Sequence, residues 1–74
     1  MHLVEYEEAR TEKERALAAI EVARHKNSRR LAWSWADTAI KHAEKAGIRD
    51  AGYLVTGNRY PDCSELEAKL NTLK

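Results

Sequence analysis

The chain alternates apolar and polar residues with helical spacing over most of its length. Ala9, Ala16, Ile20 and Ala23 recur at spacings of seven, four and three, which places them on one face of a helix. No Gly or Pro interrupts this stretch, and Ala, Glu, Arg and Lys dominate it, all good helix formers. The pattern predicts a first helix over residues 4–26, with Tyr6 and Leu17 flanking its stripe. Glu5, Glu7 and Glu8 at its start and Arg24, His25 and Lys26 at its end suit the helix dipole. Thr11-Glu12-Lys13-Glu14 also fits a capping box, which allows the firm helix to begin near Glu12.

A second stripe follows. Ala32, Ala36, Ala39, Ala43 and Ala46 form a seam of small residues, bordered by Leu31 and Trp35 on one side and by Trp33 and Ile40 on the other. The predicted second helix covers residues 29–46. Asn27-Ser28, both good N-caps, mark a corner before it. Ala46-Gly47-Ile48 fits a Schellman ending, with Gly47 left-handed and Ile48 folding back on Ala43. Two alanine-striped helices joined by a short corner predict an αα-hairpin with closely approaching axes. A single helix running through Asn27-Ser28 is the competing arrangement, since neither residue breaks a helix strongly.

Residues 48–62 change character. Gly52, Gly57 and Pro61 punctuate them, Thr56-Gly57-Asn58 is turn-like, and Tyr53-Leu54-Val55 and Tyr60 have strand-like composition. This segment is expected to be irregular or weakly β, as a loop or a small hairpin. An exposed strand there could add to the sheet of another molecule. A short C-terminal helix is predicted over 64–73. Ser64-Glu65-Leu66-Glu67 fits a capping box with Asp62 as a second cap, and Leu66, Leu70 and Leu73 share one face. The fold class is therefore mainly α, in a single small domain spanning 1–74.

Composition narrows the function. The chain has 74 residues, with 13 Lys and Arg against 12 Asp and Glu, for a net charge of +1. A dedicated nucleic-acid binder is usually more basic. Cys63 is the lone cysteine, so no internal disulfide can form. No Cys/His spacing suits structural zinc, and no acidic loop has the calcium pattern. A chain this small is marginally stable alone, which makes partner binding or a homodimer an expected support. Met1-His2-Leu3-Val4-Glu5 does not read as a signal peptide, and no apolar run reaches a membrane span. The expectation is a cytoplasmic protein without membrane contact.

Catalysis is not expected, and neither is a cofactor or a metal. His2, His25 and His42 are scattered, and His42 borders the buried face of its helix, as a packed residue does. Cys63 sits near a helix start between acidic residues that oppose thiolate formation, which suits a small packing residue. Three short helices also leave little room for an enclosed ligand pocket.

The chemistry that stands out is the corner. Arg29 and Arg30 occupy the first turn of a helix, where positive charge opposes the dipole at a cost of about 0.3–1 kcal/mol each. Violations of this kind concentrate at functional or strained sites. With Arg24 and Lys26 they gather four cations, and Trp33 lies one turn further on. These five residues are the expected partner-binding surface, with Tyr53 and Tyr60 as a second candidate. Trp33 and Trp35, two positions apart, point to different sides and cannot form one base-stacking platform. An acidic patch on a protein partner fits the mixed charge better. The expected function is a non-catalytic regulator, adaptor or inhibitor, of the type encoded by phage or mobile elements. A nucleic-acid binder using the same corner is the alternative, and a structural homo-oligomer is a third.

Overall fold

The computed structural model describes residues 6–73. Besides helical residues 6–8, the described residues form α1 (Glu12–Arg24), α2 (Arg29–Lys45), a 3-10 turn (Ala51–Leu54) and α3 (Ser64–Asn71). The architecture is mainly α, built on a helical hairpin with an irregular segment and a short C-terminal helix.

α1 begins at the capping box and not near residue 4. Thr11 is extended and its hydroxyl oxygen accepts the Glu14 amide at 3.1 Å. Residues 6–8 are helical but separated from α1 by an irregular stretch at 9–11; positions 4 and 5 lie outside the described residues. The long first helix predicted from composition is thus interrupted, because a good N-cap offers the backbone an alternative to continued helix. α1 also stops at Arg24, two residues short of the predicted end.

The corner at Asn27-Ser28 is real. Ser28 is extended and its hydroxyl oxygen accepts the Leu31 amide at 3.4 Å, starting α2. The single rod through this point is excluded. At the far end the Schellman ending forms as expected. Gly47 has φ of +112°, its amide donates to Glu44, and the Ile48 amide donates to Ala43 at 3.0 Å. Ile48 is buried within the core that includes Ala43.

The hairpin interface is the principal contact of the fold, and it is lined by methyl groups. Ala16, Ala19 and Ile20 of α1 face Ala36, Ala39 and Ala43 of α2, all fully buried. Small side chains allow the backbones to close on one another, so apolar area is buried without large residues. The Cα positions span 31 × 27 × 15 Å. Leu66 and Leu70 of α3 insert fully into this core, together with Cys63 and Ala51. Docking of this kind is what an eight-residue helix requires, since it is too short to persist alone.

Two details differ from the sequence expectation. Tyr53 and Leu54 belong to the 3-10 turn and not to a strand. Strand composition has no effect without a neighbouring strand to pair with. The only β pairing among the described residues is an isolated antiparallel bridge between Thr56 and Asp62. No edge at 53–55 is therefore on offer for β-addition. At α3 the Ser64–Glu67 capping box does not form. Asp62 accepts the Ser64 amide at 3.0 Å instead, and α3 ends at Asn71 and not at 73. Among the described residues no helix is long and apolar enough to cross a membrane.

Candidate binding surface at the helical corner

The residues singled out at the corner meet different fates. Arg24 leaves the set of free cations. Its guanidinium grips Glu67 of α3 with both nitrogens, at 3.0 and 2.9 Å, and also donates to Glu21 at 3.0 Å. This bidentate pair holds α3 against the end of α1. It keeps the Glu67 carboxyl below the usual carboxylate range. Lys26, Arg29 and Arg30 make no side-chain hydrogen bond or ion pair with the described residues. Arg29 and Arg30 are exposed and Lys26 is half-buried.

The reason lies in how nearby carboxylates are used. Glu21 is held by Arg24 and His25, Glu67 by Arg24, and Asp62 by the Ser64 amide. The first turn of α2 contains no acidic residue. The cations at the start of α2 are thus left facing the positive end of a helix dipole with no counter-charge from the fold.

The loop 57–61 supplies what sequence reasoning did not place here. The indole N–H of Trp33 donates to the carbonyl of Arg59 at 2.9 Å. The hydroxyl of Tyr60 donates to the carbonyl of Asn27 at 2.8 Å. The loop is closed at its base by the Thr56–Asp62 bridge, with N···O distances of 3.1 and 2.6 Å. Gly57 turns it with φ of +112°, and a β-carbon there would overlap the carbonyl oxygen of Tyr60. Together these contacts bring exposed Arg59 and half-exposed Tyr60 to the corner. Buried or half-buried indole and phenol groups seek an acceptor for their polar end. That need was the available signal, but it does not say which carbonyl will answer it.

Trp33 is half-buried, with its only donor spent inside the molecule. Trp35 sits elsewhere, edge-on to Tyr6 with ring centroids 5.2 Å apart. The two indoles do not form a platform. Tyr53 is 85% exposed and Tyr60 50% exposed; Tyr60 joins the corner through Asn27, and no hydrogen bond attaches Tyr53 to it.

A second polar cluster lies at the opposite end of the hairpin. His42 Nδ1 is 2.5 Å from a Glu12 carboxylate oxygen, and Nε2 is 2.9 Å from the Tyr6 hydroxyl. The carboxylate fixes the tautomer: Nδ1–H donates to Glu12, which leaves Nε2 to accept from Tyr6 in the neutral ring. The hydrogen bond from His42 holds the Glu12 carboxyl below its ordinary range, with Lys45 and Arg15 adding to it. Glu7 and Glu8 form no ion pair with Lys41 or Lys45 among the described residues. Cys63 is buried, and burial pushes its thiol up, away from the thiolate. Among the described residues, no group of three or more His, Cys, Asp or Glu side chains converges to hold a metal. An open cleft of about 610 Å³ lies beside α1, bordered by Lys13, Leu17, Ala46 and Leu73. It is wider than three short helices were expected to leave, but it is not enclosed.

No family model, curated protein or solved structure matches the chain.

Proposed function

We propose that this chain is a non-catalytic binding protein that covers an acidic surface of a protein partner with its helical corner. It would act as a regulator, adaptor or inhibitor. The observation that carries the reading is the set Lys26, Arg29 and Arg30, left without internal counter-charges although three carboxylates stand on neighbouring elements. A fold gains nothing from like charges at a helix N-terminus. A partner that supplies carboxylates there gains both their pairing and the dipole. Arg is also among the residues enriched where interface energy concentrates.

Affinity capture from host-cell lysate tests this, with the wild-type chain and with Arg29→Glu/Arg30→Glu, each with and without nuclease. The expected result is a protein with an acidic surface retained by the wild type after nuclease treatment and lost by the reversed variant. Equal retention by both chains would remove the corner from the reading. Loss of capture on nuclease treatment would move it to nucleic acid.

A further inference from the structure

We infer that the loop 57–61 is the second half of this docking surface, and that the two halves together seat a short acidic segment of a protein. The inference rests on the corner reading given above. It adds Arg59 and Tyr60 as contact residues and makes Trp33 the residue that positions them.

The loop is organised to a degree that an idle connection does not need. The Thr56–Asp62 bridge closes its base, Gly57 adopts a backbone conformation that other residues resist, and two aromatic side chains tie it to the corner. Each tie runs between different partners: Trp33 of α2 holds the Arg59 carbonyl, and Tyr60 of the loop holds the Asn27 carbonyl. The Arg59 side chain is left exposed, with no hydrogen bond or ion pair among the described residues. The two ties hold the backbone that carries Arg59 against the corner that carries Lys26, Arg29 and Arg30, with the half-exposed Tyr60 between them. Holding such groups in place before binding lowers the ordering cost of association.

Charge complementarity selects the occupant. Four cations without counter-charges call for an anionic partner. The patch is also finite: Glu21, Glu67 and Asp62 border it, and exposed Asp37 lies two turns along α2 from Arg30. With a net charge of only +1, a long polyphosphate strand leaving the patch would meet carboxylates. A short run of Asp and Glu side chains, with an apolar residue against the Tyr60 ring, matches both the extent and the mixed character of the surface.

Fluorescence anisotropy at low ionic strength tests the assignment with two probes, a labelled oligoglutamate peptide carrying one central leucine and a single-stranded oligonucleotide of equal charge. Four chains are compared: wild type, Arg29→Glu/Arg30→Glu, Arg59→Glu, and Trp33→Phe, which keeps an apolar ring but removes one of the two side-chain ties of the loop without altering any charge. Circular dichroism confirms that each is folded, and Arg59→Glu, at an exposed site, carries the test if Trp33→Phe is unstable. Arg59→Glu is expected to weaken peptide binding by about tenfold, and Trp33→Phe by about threefold. If the double reversal abolishes binding while Arg59→Glu leaves it within about twofold, the loop assignment falls and the corner reading stands. If the peptide fails to bind, or binds all four chains equally, both fall. Tighter binding of the oligonucleotide, with steep loss on adding salt, would overturn the acidic segment as occupant.

Discussion

The two ends of the helical hairpin are built from similar residues and treated in opposite ways. At the end marked by His42, the polar groups that turn towards the core are paired, while Glu7, Glu8 and Lys41 stand on the surface. The imidazole is 13% exposed, and both of its nitrogens are engaged by Glu12 and Tyr6. At the corner end, Arg24 is paired but Lys26, Arg29 and Arg30 are not, and Arg59 is added to them from a distant loop. A fold under selection for stability alone would resemble the first end throughout. The contrast teaches that internal pairing, not residue type, separates the charges that hold the fold together from those that do not. Arg24 and Arg29 look alike in the sequence and have different roles in the molecule.

The comparison breaks most completely if the seam between the two ends is forced open. Ala39 is fully buried where the helices meet. Ala39→Leu inserts three heavy atoms into a space with no room for them, at a cost of about 1–3 kcal/mol. A domain of this size has only about 3–5 kcal/mol to lose. Thermal melting followed by circular dichroism should show a large fall in Tm and loss of both ends together. Ala68→Leu, on the exposed side of α3, is the control and should change stability by less than about 0.5 kcal/mol. Equal effects of the two would show that the methyl seam does not set the helix separation.

Smaller changes should move the two ends in opposite directions. Tyr6→Phe keeps the edge-on contact with Trp35 and removes the hydroxyl that meets His42, leaving Nε2 without its donor. A loss of about 1 kcal/mol is expected in urea unfolding. Arg29→Gln and Arg30→Gln remove charges that oppose the α2 dipole and pair with nothing. Each should raise stability, by up to about 0.3–1 kcal/mol at low salt and less at high salt. Destabilisation at both ends would mean that the corner arginines serve the fold after all.

The helices were legible because their signals are local. Alanine spacing, the Ser28 cap and the Gly47 ending each act within a few residues, and each is found where the sequence puts it. The start of α1 was less legible, since helix-forming composition from residue 4 competes with a cap at Thr11 and composition alone does not decide between them. Tyr53-Leu54-Val55 misled for a related reason: β-propensity reports fitness for a pleated surface, and here no such surface exists. The Glu12–His42 contact was within reach, since both residues lie fifteen positions from Asn27 and an antiparallel hairpin places such residues opposite one another. Arg59 was not within reach. It meets Trp33 across a separation of 26 residues, through a backbone carbonyl that has no sequence signature. Half of the candidate surface therefore depended on tertiary structure.

Acid titration resolves the finest difference between the two ends, because each holds a glutamate carboxyl below its ordinary value of 4.5. At the His42 end this is Glu12, through its hydrogen bond with the imidazole. At the corner end it is Glu67, through Arg24. A carboxyl depressed in the folded state contributes stability above its unfolded value, and that contribution is lost as the pH falls through the folded value. Stability should therefore decline as the pH drops below the ordinary carboxylate range. Glu12→Gln and Glu67→Gln should each flatten that decline. Salt separates the two. The Arg24 and Glu67 side chains are 37% and 32% exposed, so their pairing is screened and is worth less than about 1 kcal/mol. The Glu12 carboxylate is about as exposed as that of Glu67, and the difference lies in the partner, since the His42 side chain is only 13% exposed. In high salt the Glu67→Gln chain should become indistinguishable from the wild type in its acid response, while the Glu12→Gln chain should remain flatter than both. The reverse order would show that the Arg24 pairing protects its carboxylate better than the buried imidazole does.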